Sequence, residues 1–457
     1  MLSEMNFVQF YEAMSLPVRG LIHSIKFNTI PFESILLSSS TLFLFHATKL
    51  DLLILGKLFG EILNPMSGFG KFIKISGYLV FPFIVWGLYE GAKIQRLKKR
   101  IEESLAIAGL RNVFGKVPTI AGIYPVDKET NKLVLNRSSY AVGDFVKARD
   151  RIESGLNSYI DDIRESRLKG TVEIIYSSLT LPTKVSFRDP ELLDSKSFFV
   201  GATRSKEVTG DLDSTPHLLV AGQTGGGKST FLRNLITTFY LNSKNTKFTL
   251  IDLKGGLEFQ LFEELPRVSV IPNIERAIEE LNSLQKELIR RMEILKKNKV
   301  KDIANIKENS SEGTFLRSRR LVVVDEIAEL FLAGGGADSS KIIQARRILS
   351  LIARQGRAVG INLIVATQRP DSKSLDPQVK ANLVGVICFQ MQNDSSSISV
   401  LGNGRATDLP SIPGRAIWKE GPKMTEIQTP LLSTQEAEAL IEKFKVSNSS
   451  AMEMSSK

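Results

Sequence analysis

Apolar residues fall into two kinds of stretch along this chain. Near the start are two uncharged segments, Ile35 to Thr48 and Ile75 to Tyr89, the second bounded by Lys74 and Glu90. Farther on they gather into short runs closed by polar or glycine-rich turns: Leu218 to Ala221, Phe248 to Leu253, Leu321 to Glu326 and Ile361 to Ala366. Such runs predict buried strands. Between them the spacing turns helical. Phe231, Leu232, Leu235, Ile236 and Phe239 fall on one face of a helix predicted from Ser229 to Tyr240. Further helices are predicted over Ile274 to Lys297 and Arg346 to Arg357. Strands alternating with helices predict an α/β fold.

The early segments differ in kind. Both are shorter than the ~20 apolar residues of a usual spanning helix, but snorkelling Lys49 and Lys74 extend them. Pro82 would kink the second, which membranes tolerate. Lys93, Arg96, Lys98, Lys99 and Arg100 follow as a basic cluster that belongs on the cytoplasmic side. The expectation is two spans with both chain ends in the cytoplasm; a pair of buried or interfacial helices is the alternative.

Ile101 to Lys206 reads as a separate small α+β module. It has a helix at Asp144 to Arg164 with Asp144 as N-cap, a strand at Thr171 to Tyr176 and another at Val185 to Phe187. Asp161, Asp162 and Glu165 read as a solvated helix face. The resulting division is an anchor at 1–100, the small module at 101–206, a larger α/β domain at 207–432 and a short helix with a Ser-rich tail at 433–457.

Charge and cysteine content narrow the classes. The 457 residues carry a formal net charge of +11, which suits a polyanionic partner, nucleic acid or anionic membrane. A single cysteine, Cys388, excludes an intrachain disulfide and a cysteine-based metal site, and its apolar surroundings predict a core position.

The densest chemistry is HLLVAGQTGGGKSTF, His217 to Phe231. Gly222, Gly227, Lys228 and Ser229 fit G-x-x-x-x-G-K-[ST] between a strand and a helix. In that pattern the backbone of Gly222, Gln223, Thr224, Gly225, Gly226, Gly227, Lys228, Ser229 and Thr230 wraps phosphates. Lys228 supplies a point charge and Ser229 a hydroxyl for Mg²⁺. The helix N-terminus favours the same anion. The run LVVVDE supplies the acidic partner: Asp325 for the Mg²⁺ hydration shell and Glu326 to orient the attacking water. The second acid argues for hydrolysis over transfer to another substrate. Gln368, just past the strand Ile361 to Ala366, stands where α/β sheets place their ligand crevices and can sense the γ-phosphate. A cluster of Arg290, Arg291, Lys296, Lys297, Lys299 and Lys301 reads equally as a DNA-facing patch or a solvated helix end.

Together these stretches resemble the FtsK/SpoIIIE family of DNA-translocating ATPases. The stretches are PHLLVAGQTGGGKS (Pro216 to Ser229), LIDLKGG (Leu250 to Gly256), LVVVDEIAEL (Leu321 to Leu330) and RAVGINLIVATQRP (Arg357 to Pro370). VKANLVGVICFQ (Val379 to Gln390) and PGRAIW (Pro413 to Trp418) agree more loosely. The resemblance implies a RecA-like motor that binds ATP and Mg²⁺ between subunits of a ring, usually a hexamer, around double-stranded DNA. It implies that Arg357 is an arginine finger reaching a neighbour's γ-phosphate, and that Arg369 and Lys380 line the DNA channel. It also gives 101–206 the place of the smaller ring-forming domain. No winged-helix DNA reader follows Leu432 and no long linker is seen, which favours the compact members on plasmids and other mobile elements. The expectation is a motor at the inner (cytoplasmic) membrane, its ATPase in the cytoplasm, moving DNA between cells with transfer or secretion machinery. The alternatives are a coupling ATPase for single-stranded DNA and a relaxase, and a protein-secretion ATPase.

Overall fold

A computed structural model describes residue 89 and residues 91–455, apart from 113, 138–139, 244, 307–312, 314, 317, 333–338 and 372–373. The two segments read as membrane spans lie outside the described residues but for Tyr89. Among the described residues no helix is long and apolar enough to cross a membrane. The chain divides into two compact units between Leu179 and Thr180.

The first unit is an antiparallel sheet of four strands in the order β1-β2-β4-β3: β1 Ile120–Pro125, β2 Thr130–Asn136, β3 Tyr159–Ser166 and β4 Thr171–Ser177. A helix over 91–107 carries the basic cluster on its solvent side and buries Ile101 and Leu105 against Phe145, Ile152, Leu133 and Ile174. The helix thus runs through the 100/101 boundary read from the sequence.

The helix expected over Asp144 to Arg164 is instead two short helices, Val142–Lys147 and Arg149–Leu156, followed by β3. Ile152, Leu156, Ile160 and Ile163 satisfy a helical spacing, which explains the expectation. Asn157 stops the helix by taking a left-handed conformation, φ 49°. A bulge between Ile160 and Asp162 then keeps β3 in register with β4. Asp161, Asp162 and Glu165 therefore lie on a strand. Asp144 still works at a helix start: its carboxylate accepts from the Ala141 amide at 2.9 Å.

The second unit is built on a sheet of ten strands, ordered β6-β5-β14-β13-β12-β7-β11-β10-β8-β9. They are β5 Ser197–Ala202, β6 Glu207–Asp211, β7 Leu218–Ala221, β8 Lys247–Asp252, β9 Val268–Ile271, β10 Arg320–Asp325, β11 Ile361–Thr367, β12 Gly385–Phe389, β13 Arg415–Glu420 and β14 Lys423–Gln428. From β12 to β9 all neighbours are parallel; beyond β12 the edge is antiparallel. Because β5 and β6 pair into this sheet, the division falls at 179/180, earlier than 206/207. The segment Val185 to Phe187 makes one bridge, Ser186 to Leu431, in place of a strand.

The central strands are apolar throughout because both faces are covered. Leu219, Ala221, Val322, Val324, Leu363 and Val365 pack on one side with the helices Ile274–Lys297 and Ser339–Val359. Leu218, Val220, Leu321, Val323, Ile364 and Ala366 pack on the other with the helix Lys228–Asn242. The helix Ile274–Lys297 begins where the Asn273 side chain accepts from the Arg276 amide. It buries Ala277, Leu281, Leu284, Leu288 and Leu295, a stripe at helical spacing. Cys388 is fully buried, and burial pushes its thiol up to about 12.

The basic stretch at the end of that helix is not uniform. Arg291 is 1% exposed and donates to the carbonyls of Leu316, Ser318 and Val359 and to the Glu287 carboxylate. Arg290 stacks on the Phe315 ring. Arg291 is therefore a core residue that ties the helix to the strand edge, and no part of a DNA-facing patch. Lys296, Lys297, Lys299 and Lys301 remain on the surface.

Candidate functional site

In a parallel sheet the strands' C-terminal ends lie at one edge, and the crevice opens where neighbouring connections part. Here β7 sits between β11 and β12, and four connections converge on its end. The loop after β7 is pinned by its neighbours. The Gly222 amide donates to the Thr367 carbonyl (3.3 Å), the Gln223 amide to the Gln390 carbonyl (3.0 Å) and the Gly414 amide to the Gly226 carbonyl (2.9 Å). Glycine is required by contact as much as by conformation. A Cβ at Gly222 would stand 2.6 Å from the Phe389 Cβ. Gly227 has φ 120°, and a Cβ there would meet the Gly414 amide nitrogen at 3.0 Å.

The helix then begins at Lys228 with Ser229 and Thr230 in its first turn. Lys228 is buried, and its Nζ donates to the carbonyls of Gly222 (2.7 Å) and Gln223 (3.1 Å). Burial lowers its pKa, and the charges of Glu326 and Asp325 act against that. The ammonium is thus held inside the loop and in the field of the acid pair, where it can meet an anion wrapped by that loop.

Asp325 ends β10 directly beside Asp252 at the end of β8. Burial pushes the Asp325 carboxyl up to about 6, and Glu258 is the largest charge adding to that. Among the described residues no group of three or more His, Cys, Asp or Glu side chains could hold a metal unaided. Mg²⁺ takes one or two carboxylates and completes its shell with water and phosphate oxygens. Asp325 and Ser229 are the residues that would hold it, and a divalent cation would relieve the crowding of Asp325, Glu258 and Asp252.

Glu326 is 5% exposed and has φ 54°, a left-handed conformation that costs a non-glycine residue about 1–2 kcal/mol. Its Oε1 accepts from the Thr367 hydroxyl (2.9 Å) and its Oε2 from the Gln368 amide (3.0 Å). The two bonds hold the carboxylate in one orientation at the end of β11 and hold the strained backbone in place. The Gln368 side chain closes the circuit by accepting from the Thr224 hydroxyl of the phosphate loop at 2.7 Å. Loop, Glu326 and the end of β11 are therefore one connected network.

Thr367, Glu258, Asp252 and Gln390 were missed as site residues by sequence reasoning. Gln390 follows β12 as Gln368 follows β11, and it receives the Gln223 side-chain amide at 2.8 Å. A polar residue just past each central strand was the available signal for Thr367 and Gln390. Glu258 lies in the β8–β9 connection, where no motif marks it.

The remaining candidates have other settings. Arg357 is exposed near the end of the helix Ser339–Val359, just before β11 starts. The length of β11, about 20 Å at ~3.3 Å per residue, separates it from Gln368, so it cannot serve the phosphate loop of its own subunit. Arg369 is exposed, and its amide donates to the Thr367 hydroxyl at 2.9 Å. Lys380 is half-buried. Its ammonium is taken up by the Ser399 carbonyl and hydroxyl, and burial lowers its pKa.

Residues 192–372 match the FtsK/SpoIIIE family. That span holds the loop, both acids, Arg357, Gln368 and Arg369; Lys380 lies beyond it. The DNA translocase FtsK of Helicobacter pylori strain J99 is 32% identical over 231 residues, 48% of this chain and 26% of that protein. The DNA translocase FtsK of Staphylococcus aureus strain Mu50 is 28% identical over 287 residues, 59% of this chain and 35% of that protein. The chain thus spans about a quarter to a third of the length of these relatives. Among solved structures, the pCW3 conjugation coupling protein TcpA, in monomer form with ATPγS, matches with TM-score 0.56 and 26% identity. That match covers 76% of this chain and 99% of that one. EssC (ATPases 2 and 3) from Geobacillus thermodenitrificans matches with TM-score 0.50 and 19% identity, over 58% of this chain and 52% of that one, a likeness of fold.

Proposed function

We propose, for a chain whose residues 192–372 belong to the FtsK/SpoIIIE family, that it is an ATP-driven motor that moves double-stranded DNA. The observation that carries this is the closed network around the loop. Glu326 is strained and held by Thr367 and Gln368, while Gln368 is held by Thr224. Phosphoryl transfer asks the protein mostly for positioning and charge. Lys228 and the loop amides would hold the triphosphate, Ser229 and Asp325 would hold Mg²⁺, and Glu326 would orient the attacking water. Mg²⁺ when bound neutralises charge between the phosphates. Loss of the γ-phosphate changes what Thr224 and Gln368 can bond to, and that change passes directly to the next residue in the chain, Arg369.

Arg369, exposed on the loop after that strand, contacts DNA phosphates in this reading, and such contacts carry no sequence information. Arg357, far from its own loop, completes the site of a neighbouring copy, which requires a ring and suits a hexamer. The two apolar segments before residue 90 anchor the motor in the cytoplasmic membrane. The likeness to a conjugation coupling protein favours transfer of mobile-element DNA between cells.

The test is displacement of a third strand bound to linear duplex by the full chain with ATP. Displacement that needs hydrolysis supports the motor. Tight duplex binding with no displacement, under conditions where ATP is turned over, overturns it.

A further inference from the structure

Pro370, next to the exposed Arg369, is buried, and a buried carbonyl needs a partner. It finds one on a distant stretch of chain, the helix Asp394–Leu401, where the Ser399 hydroxyl donates to it at 2.5 Å. On the other side of Arg369, its own amide donates to the Thr367 hydroxyl at 2.9 Å. The backbone that carries Arg369 is thus held twice, once by the residue that binds Glu326 and once by Ser399.

Ser399 is itself held from several directions. The Lys380 ammonium donates to its hydroxyl oxygen at 3.1 Å and also to its carbonyl. A serine hydroxyl has one proton and two lone pairs. With the ammonium on a lone pair, the proton is left for the Pro370 carbonyl. The helix bearing Ser399 is fixed at both ends. At its start the Asn393 side chain accepts the Ser396 amide at 2.8 Å. At its end Lys419 donates to the Leu401 carbonyl at 3.0 Å, where the helix dipole favours a cation. Val400 and Leu401 are buried beneath it.

An arginine on a loop reaches a phosphate at the cost of ordering the backbone that carries it. A backbone fixed beforehand lowers that cost. We propose that Ser399 is a positioning residue for DNA contact: through the Pro370 carbonyl it fixes the backbone from which Arg369 reaches a DNA phosphate. The inference rests on the reading of Arg369 as a phosphate contact.

The test is binding of a fluorescein-labelled linear duplex to the full chain with a non-hydrolysed ATP analogue, at fixed salt. The proteins compared are wild type, Arg369→Ala, Ser399→Ala, Ser399→Thr and the double variant Arg369→Ala with Ser399→Ala. Arg369→Ala is expected to weaken binding about 10-fold, the lower end for a charged hydrogen bond. An unchanged Kd there overturns the reading of Arg369 and this inference with it. Given that loss, Ser399→Ala is expected to weaken binding about 5-fold, as one lost hydrogen bond does. Alanine is the better helix former, so the helix itself is not lost. Ser399→Thr keeps the hydroxyl and should bind within about 2-fold of wild type. The double variant should bind within about 2-fold of Arg369→Ala, because Ser399 acts through Arg369. Wild-type affinity in Ser399→Ala overturns the inference, and so do losses that multiply in the double variant, since the two residues would then act independently.

Discussion

Replacing Asp325 with asparagine should stabilise the metal-free protein. The ordinary aspartate value is 3.8, and burial beside Glu258 and Asp252 pushes Asp325 up to about 6. A carboxyl whose folded value is raised binds its proton more tightly in the folded state. It costs nothing below the unfolded value; the penalty grows between pH 4 and 6 and is complete above that. Each pH unit of displacement is about 1.4 kcal/mol, so the upper bound is about 3 kcal/mol, and partial exposure to water reduces it to roughly 2 kcal/mol. Asparagine has nearly the same shape and no charge to bury. At about 2–4 °C per kcal/mol for a domain of this size, Asp325→Asn should melt about 4–8 °C higher at pH 8. At pH 5 the advantage should shrink to about half. The assay is thermal unfolding of the full chain in EDTA without nucleotide. A variant less stable than wild type at pH 8, or a gap of equal size at both pH values, would refute the reasoning. The same variant should lose Mg²⁺-dependent hydrolysis, because an amide holds the cation's waters less well than a carboxylate.

Other outcomes follow from the same geometry. Glu326→Gln keeps the shape of a residue held by Thr367 and Gln368; it should lower turnover by about 10²–10⁴-fold with ATP affinity retained, read by single-turnover hydrolysis beside nucleotide binding. Arg291→Ala should destabilise the protein by about 2–3 kcal/mol, since it leaves three carbonyls without their donor while Glu287 keeps Arg320; denaturant unfolding checks this, and unchanged stability with weakened DNA binding would return Arg291 to a DNA-facing role. Arg369→Ala should weaken duplex binding and reduce its salt slope by about 1. Lys380→Ala, whose ammonium is bound to Ser399, should leave the slope unchanged while lowering the melting temperature.

The central sheet was legible because burial on both faces leaves an unbroken apolar run, as in LLVA at β7 and VVV in β10. The loop and acid pair were legible because phosphate chemistry fixes residue type at fixed spacing. Three features hid. The spacing of Ile152, Leu156, Ile160 and Ile163 fits a helix, and only the left-handed Asn157 breaks it. The strands β5 and β6 belong to a sheet whose partner, β14, is over two hundred residues away, so chain order assigned them to the wrong unit. The role of Thr367 depends on which strands are neighbours, and strand order is not written in the motifs. Arg291 shows the converse: a run of basic residues reads as one surface until packing sends one member inward.

The most direct test of the motor reading is ATP hydrolysis by the full chain without DNA, with duplex and with single-stranded DNA, at fixed salt because phosphate contacts are salt-dependent, with Lys228→Ala as control. The expected result is hydrolysis stimulated strongly by duplex, weakly by single strands, and lost in Lys228→Ala. Hydrolysis that is abolished by Lys228→Ala yet indifferent to either DNA would contradict a DNA motor, and stimulation by single strands alone would contradict duplex as its track.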